Sequence, residues 1–257
     1  MNSFHFALIF GSSILAGLTN ALAGGGTFFS FPALTAGGLS SLVANATNSV
    51  AVTPGHLLAA VTYRDILGRS KMRLIILGVA SALGAIGGAY LLTITSEKTF
   101  AKLVPWLLLF ATVSFAGGPY LQKLLNAKEA PAPAKATASG VSIKSSISYF
   151  LASIYGGYFG AGQGIVLMTI LTLSGVSDVQ EANALKNAIA TIVSLIAVIV
   201  LALKGFILWK YGIPMIIGAT IGGLFGGKLA QRMNKKVLRA IVIVFGTLLT
   251  VSYFVKG

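Results

Sequence analysis

Apolar residues arrive in runs long enough to cross a bilayer, separated by short polar or basic stretches. Residues 4–22 form the first run and end at a triple glycine. Residues 27–36 follow as an apolar piece too short to span alone as a helix. Residues 43–62, 72–93 and 103–119 read as three further helices, with a basic loop over 64–71. A polar stretch over 123–144, centred on Ala130-Pro131-Ala132-Pro133-Ala134, is expected to be extended and flexible. The same order then recurs: 147–160, a break, 165–174, 183–203, 211–231 and 237–255. The expected organisation is a first transmembrane repeat over 1–122, a linker over 123–144 and a second repeat over 145–257. Continuous rather than alternating apolar runs predict an all-α polytopic membrane protein and not a barrel.

The recurrence extends to individual residues. Ala23-Gly24-Gly25-Gly26 precedes Ala44-Asn45-Ala46, with nineteen residues from Gly26 to Asn45. Ala161-Gly162-Gln163-Gly164 precedes Ala182-Asn183-Ala184 at the same spacing from Gly164 to Asn183. Further on, Gly84-Ala85-Ile86-Gly87-Gly88 answers Gly223-Leu224-Phe225-Gly226-Gly227. Small residues at such spacing let helix backbones approach closely in lipid, where packing drives association. A helix break duplicated at membrane depth points to a transport site.

Composition agrees. The 257 residues are 56% hydrophobic and 9% charged, with mean hydropathy +0.88; a soluble domain carries roughly a quarter charged residues. The net charge of +14 could suggest nucleic acid, but its placement does not. Arg64, Arg69, Lys71 and Arg73 fill one loop, Lys123, Lys128, Lys135 and Lys144 the linker, and Lys228, Arg232, Lys235, Lys236 and Arg239 a third segment. By the positive-inside rule these stretches are cytoplasmic, whereas the loops bearing Lys98 and Lys102, or Lys204 and Lys210, face outward. The loops at 64–73 and 204–210 occupy equivalent places in the two copies, so the halves are expected to be inverted. This works if each glycine break lies in a hairpin that returns to its starting side, with both termini outside a cytoplasmic membrane.

The absence of cysteine excludes disulfides, thiolate metal sites and covalent haem attachment. Two histidines, His5 and His56, are too few for a histidine-rich metal site. Ala21-Leu22-Ala23 fits a cleavage pattern, but the residues before it lack a basic n-region, and 4–22 is read as a retained helix. No phosphate-cradling GxxxxGK[ST] motif, nucleophile–base pair or zinc motif is present, so no catalytic residue, metal or cofactor is expected. All five acids, Asp65, Glu97, Glu129, Asp178 and Glu181, fall in loops or near helix ends.

The candidate site lies at the breaks. Helices beginning near Thr27 and Ile165 should present unpaired amides and positive dipole ends, and converging ends favour an anion. The competing reading is that glycines merely permit tight hairpins. Asn45, Thr47, Asn48 and Ser49 in one half, and Asn183, Lys186 and Asn187 in the other, are costly on apolar helices unless they bond something. They could serve an anion, or glue helices together, with Lys186 snorkelling instead. Gln163 could donate to a ligand or to the broken backbone. His56, beside Thr53-Pro54-Gly55, is more often a packing residue at such a place than a proton relay. Tyr63, Arg64 and Trp209 read as interfacial anchors.

With these residues in view, the chain resembles the sulfite exporter TauE/SafE family over essentially its whole length. The resemblance rests on Ala23-Gly24-Gly25-Gly26-Thr27 with Pro32, Ala44-Asn45-Ala46-Thr47-Asn48, Gly162-Gln163-Gly164 and Ala182-Asn183-Ala184-Leu185-Lys186-Asn187. It implies a cytoplasmic-membrane transporter, with export favoured, whose partners are the lipid bilayer and a small sulfur-containing or organic anion such as sulfite, a sulfonate or sulfoacetate. The anion-contacting group it implies is Gly24, Gly25, Gly26, Thr27, Asn45, Asn48, Gly162, Gln163, Gly164, Asn183, Lys186 and Asn187. A channel-like pore is the alternative function, and a non-transporting scaffold a third. No nucleic-acid partner is expected, and the sequence leaves the oligomeric state open.

Overall fold

The computed structural model describes residues 3–22, 24–127, 141–176, 178–230 and 235–256. Among them lie eleven helices and no strand. They are α1 (Ser3–Leu22), α2 (Thr27–Ala36), α3 (Ser41–Thr62), α4 (Arg64–Arg69), α5 (Lys71–Ile94) and α6 (Glu97–Ala127). After the linker come α7 (Ile143–Tyr158), α8 (Gln163–Leu173), α9 (Val179–Leu203), α10 (Trp209–Ala230) and α11 (Lys235–Lys256).

Three boundaries differ from the sequence expectation. The basic stretch at 64–71 folds largely into α4, with Asp65 in its first turn and Arg69 in its last, charges that complement the helix dipole. α6 runs on to Ala127, because the polar turns after the apolar run continue its helix. α7 begins at Ile143, capped by Ser142, whose Oγ accepts the Ser145 N–H at 3.1 Å. Most of the expected linker, 128–140, lies outside the described residues. α3 stays helical through Thr53-Pro54-Gly55; the Thr53 hydroxyl donates to Ser49 O at 2.9 Å.

Both glycine breaks are hairpin tips. Tyr149 in α7 donates to Leu167 O at 3.1 Å, and Ser145 donates to Ser174, just past α8, at 2.8 Å. α8 has therefore returned to the level at which α7 began. α2 doubles back along α1 in the same way, bringing Gly37 against Ile9.

The halves pack reciprocally. α1 lies along α10, and its counterpart α7 lies along α5; α3 and α9 pack on one another. The close approaches are made at glycine. A Cβ on Gly222 would sit 2.0 Å from Ile14 O, and one on Gly88 2.0 Å from Ile154 O. α3 and α9 run antiparallel: Leu208, just past α9, donates to Thr47 early in α3 at 3.2 Å, whereas Asn187 early in α9 lies beside His56 late in α3. At the start of α9, Glu181 accepts from Arg73 at 2.8 Å and from Ser70 at 2.7 Å. The loops at 64–73 and 204–210 thus sit at opposite ends of α9, whose 25 residues are roughly 37 Å long.

The outer surface is apolar where lipid would lie. Met72, Ile75, Val79, Leu83, Ile86, Tyr90 and Ile94 form an exposed stripe at helical spacing down α5, and α11 carries a second through Ile241, Val244, Leu248, Val251 and Val255. Several helices are long and apolar enough to cross a bilayer, α5, α6 and α9 among them. The molecule is a multi-pass helical membrane protein.

Candidate functional site

The two breaks meet. Gly24 and Gly162 both adopt positive φ, +72° and +70°, a conformation open to glycine and strained for side chains. A Cβ on Gly24 would lie 3.6 Å from Gly164 Cα, so the tip of one half touches the tip of the other. Lys186 joins them, its Cδ within 3.8 Å of the place a Gly164 Cβ would occupy.

The breaks are not chemically alike, and one expectation is corrected. The amides ahead of Thr27 are not left for a ligand. Asn20 Oδ1 accepts the N–H groups of Gly25 at 3.0 Å and Gly26 at 2.8 Å, and Gly24 N–H donates to Thr19 O. A buried carboxamide has neutralised the donors that an anion would have used. The second break has no such cap: Gly162 opens α8 without a side-chain partner, and Gly162 and Gly164 N–H make no hydrogen bond among the described residues. Replacing Asn20 with Leu strands both first-break amides and is expected to lower stability by about 2 kcal/mol. A drop in thermal midpoint in detergent checks it.

The asparagines also divide. Asn48 is committed: its Nδ2 donates to Thr27 Oγ1 at 3.2 Å and its Oδ1 accepts from Ser30, locking α2 to α3. Asn45 Nδ2 donates to Tyr158 O at 2.8 Å across the halves. Asn183 donates to Val179 O within its own helix, and its Oδ1 accepts a long hydrogen bond, 3.4 Å, from Lys186 Nζ. In this conformation Asn48 is helix glue, and Asn183 steadies Lys186 from a half-exposed position near the start of α9. Lys186 does not snorkel; it is 6% exposed, with that single hydrogen bond among the described residues.

What remains unpaired defines the site. Buried atoms without a hydrogen-bond partner include Asn20 Nδ2, Asn45 Oδ1, His56 Nδ1, Gln163 Nε2 and Asn187 Oδ1. These five belong to the breaks or to the helices packed on them; the hydroxyls of Ser81, Thr112 and Ser153 are also unpaired and line no part of the cavity between the halves. Buried polar atoms are nearly always bonded. Gln163 lies over α7 in the space left by Gly156, where a Cβ would be 2.6 Å from its amide. Between the halves is a cavity of about 20 Å³ walled by Thr27, Asn48, Ser49, His56, Gln163 and Ser194 among others. That is space for about one water. Ser194 is an addition to the expected site, since a lone hydroxyl on an apolar helix carries no motif; Ser49 and His56, weighed in the sequence but outside the implied anion-contacting group, also line it. Of the expected residues, Thr27, Asn48 and Gln163 line the cavity, and Gly24, Gly164 and Lys186 form the adjacent junction. Asn45 and Asn187 supply unpaired oxygens, and Asn183 lies peripherally.

A multi-pass helical protein whose broken helices meet beside a buried ammonium and unpaired amides has the features of a membrane transporter. Residues 9–253 match the sulfite exporter TauE/SafE family, and the chain belongs to that family of membrane transporters. It is 28% identical over 253 residues to a "Probable membrane transporter protein" of Haemophilus influenzae, covering 95% of this chain and 92% of the relative. It is 25% identical over 249 residues to "Probable membrane transporter protein YfcA" of Escherichia coli, covering 95% and 87%. A third relative, "Probable membrane transporter protein ORF9" of a Sinorhizobium species, is 26% identical over 251 residues, covering 97% and 92%. No solved structure matches the chain.

Proposed function

We propose that the protein is a secondary carrier, working as an exporter, of a small sulfur-containing or organic anion such as sulfite or a sulfonate. The observation that carries this reading is Lys186, a buried ammonium with one long hydrogen bond, held against the uncapped second break where it touches the first. A cation and free amides in a low-dielectric setting favour an anionic oxygen. Gln163 Nε2 supplies a further donor. The small cavity corresponds to a closed state, so passage requires the halves to move.

Inverted halves supply such a movement. Each returning hairpin is followed by three long helices, an odd number, which supports opposite orientations for the two halves. The antiparallel course of α3 and α9 supports this arrangement, as does the separation of the two equivalent loops. We infer rocking of the halves about the shared tips, with the linker on the cytoplasmic side of the cytoplasmic membrane and both termini outside. The test is a proteoliposome flux screen over sulfite, sulfonates, sulfate and carboxylates. Saturable uptake accelerated by anion on the opposite side is expected. Unsaturable conductance would replace the carrier with a channel, and no flux of any solute would leave a scaffold.

A further inference from the structure

Resting on the reading of this site as an anion carrier, we propose that His56 is its proton site, so that one proton moves with each anion. The inference starts from where the carboxylates are. Asp65 pairs with Arg64 at the surface, Glu97 accepts the Leu42 N–H at 3.1 Å, Asp178 caps α9, and Glu181 is taken up by Arg73 and Ser70. Each of these four stands at a helix end and has a partner. None of them reaches the junction of the breaks.

Among the described residues, the ionisable groups at that junction include Lys186, His56 and Tyr155, and the Tyr155 hydroxyl is taken up by Ala161 O at 2.6 Å. Their bonding differs. Lys186 Nζ is engaged with Asn183 Oδ1. His56 is buried in the cavity wall, and its Nδ1 makes no hydrogen bond of good geometry, although the Asn187 side chain lies within hydrogen-bonding reach of the ring. Buried ring nitrogens in packing roles are nearly always bonded, so a loosely held Nδ1 in a cavity wall points to a ligand or a proton. The unpaired nitrogen faces a short list of groups. From α9 come Lys186, within electrostatic reach, and the Asn187 amide, which lies against the ring. α2 carries no ionisable residue. On α6, Glu97 bonds Leu42 at the far end of α3 from His56, and Lys98 and Lys102 follow it in the same turns. On α10, Lys210 is likewise at that far end, while Lys228 follows Gly223, which packs on Gly55, by more than a turn. On α1, His5 lies in the first turn, more than four turns before the break.

The step needs no co-reactant beyond aqueous hydronium. Imidazole accepts a proton at Nδ1 from a hydronium ion on the side where the anion enters: an N–H bond forms as an O–H bond breaks, leaving imidazolium and water. No other bond is made or broken. The anion beside it supplies the compensating charge, and the proton returns to water where the anion leaves. With Lys186 unchanged through the cycle, a monovalent anion and one proton cross without net charge. Binding of each then strengthens binding of the other, as linkage requires.

Proteoliposomes holding a trapped pH dye and an inward gradient of methanesulfonate make the test. This anion of a strong acid carries no proton across lipid by itself. The wild type is expected to acidify the lumen by about one proton per anion taken up. His56→Gln and His56→Asn should exchange anion at a measurable rate with a proton-to-anion ratio near zero. Anion uptake by the wild type without acidification would overturn the inference and leave the carrier reading standing. No flux of methanesulfonate or any other anion would overturn the carrier reading itself. Where other anions move and methanesulfonate does not, the same ratio is read with a strong-acid anion that does. A normal ratio in the variants would take the proton away from His56. Folded variants that exchange nothing would make His56 a packing residue and overturn the assignment.

Discussion

Lys186→Met is expected to cut anion transport by at least about 100-fold while the protein still inserts and folds. Met keeps the length that packs against Gly164 and removes the charge. A 100-fold loss corresponds to ~2.7 kcal/mol, within the usual range for a hydrogen bond to a charged group. Folding tolerates the change because an ammonium buried in an apolar bundle is costly in itself, and an apolar replacement of similar volume is often neutral. Flux in proteoliposomes, set beside size-exclusion profiles in detergent, checks both halves of the expectation. Undiminished flux would remove Lys186 from the site. Asn183→Leu is expected to have a smaller effect, since Asn183 acts through its one bond to Lys186.

Gly222→Val and Gly88→Val are expected to be the most damaging to stability, each by about 3 kcal/mol or more. At both positions the first added carbon lands 2.0 Å from a carbonyl oxygen of the neighbouring helix, and backbone cannot rotate away as a side chain would. The affected contacts, α1 with α10 and α5 with α7, are equivalent under exchange of the halves, so the two variants should lose thermal stability to a similar extent. Gly87→Val is the control: nothing lies within 4 Å of a Cβ there, and a midpoint near that of the wild type is expected. Equal loss in the control would mean that close helix approach is not what these glycines provide.

Much of this architecture was legible because lipid imposes continuous apolar runs and leaves charge to the loops. The long helices follow from the runs, and the breaks from glycines that stand in matching places. α4 was not legible: six residues with mixed charge look like a loop until α9 offers them a surface. The site was legible in outline through the duplicated glycines and through Lys186, since an ammonium in an apolar helix requires a partner. Its asymmetry was not. Asn20 caps the first break from three residues inside an apparently apolar helix, and no spacing rule marks it. Asn48 and Asn183 looked alike as donors on apolar helices. Only the fold shows that Ser30 and Thr27 already occupy the first, whereas the second sits near a helix end. His56 reads as packing in sequence because an unpaired nitrogen is a property of its neighbours.

Accessibility of the central cavity from both sides tests the carrier most directly, and the absence of native cysteine makes the experiment clean. Ser194→Cys places one small thiol in the cavity wall of an otherwise thiol-free chain. An impermeant maleimide is expected to reach it when applied from either face of the membrane, and saturating transported anion should slow labelling from both. Labelling from a single face, unchanged by any anion that the protein moves, would contradict alternating access to a shared centre.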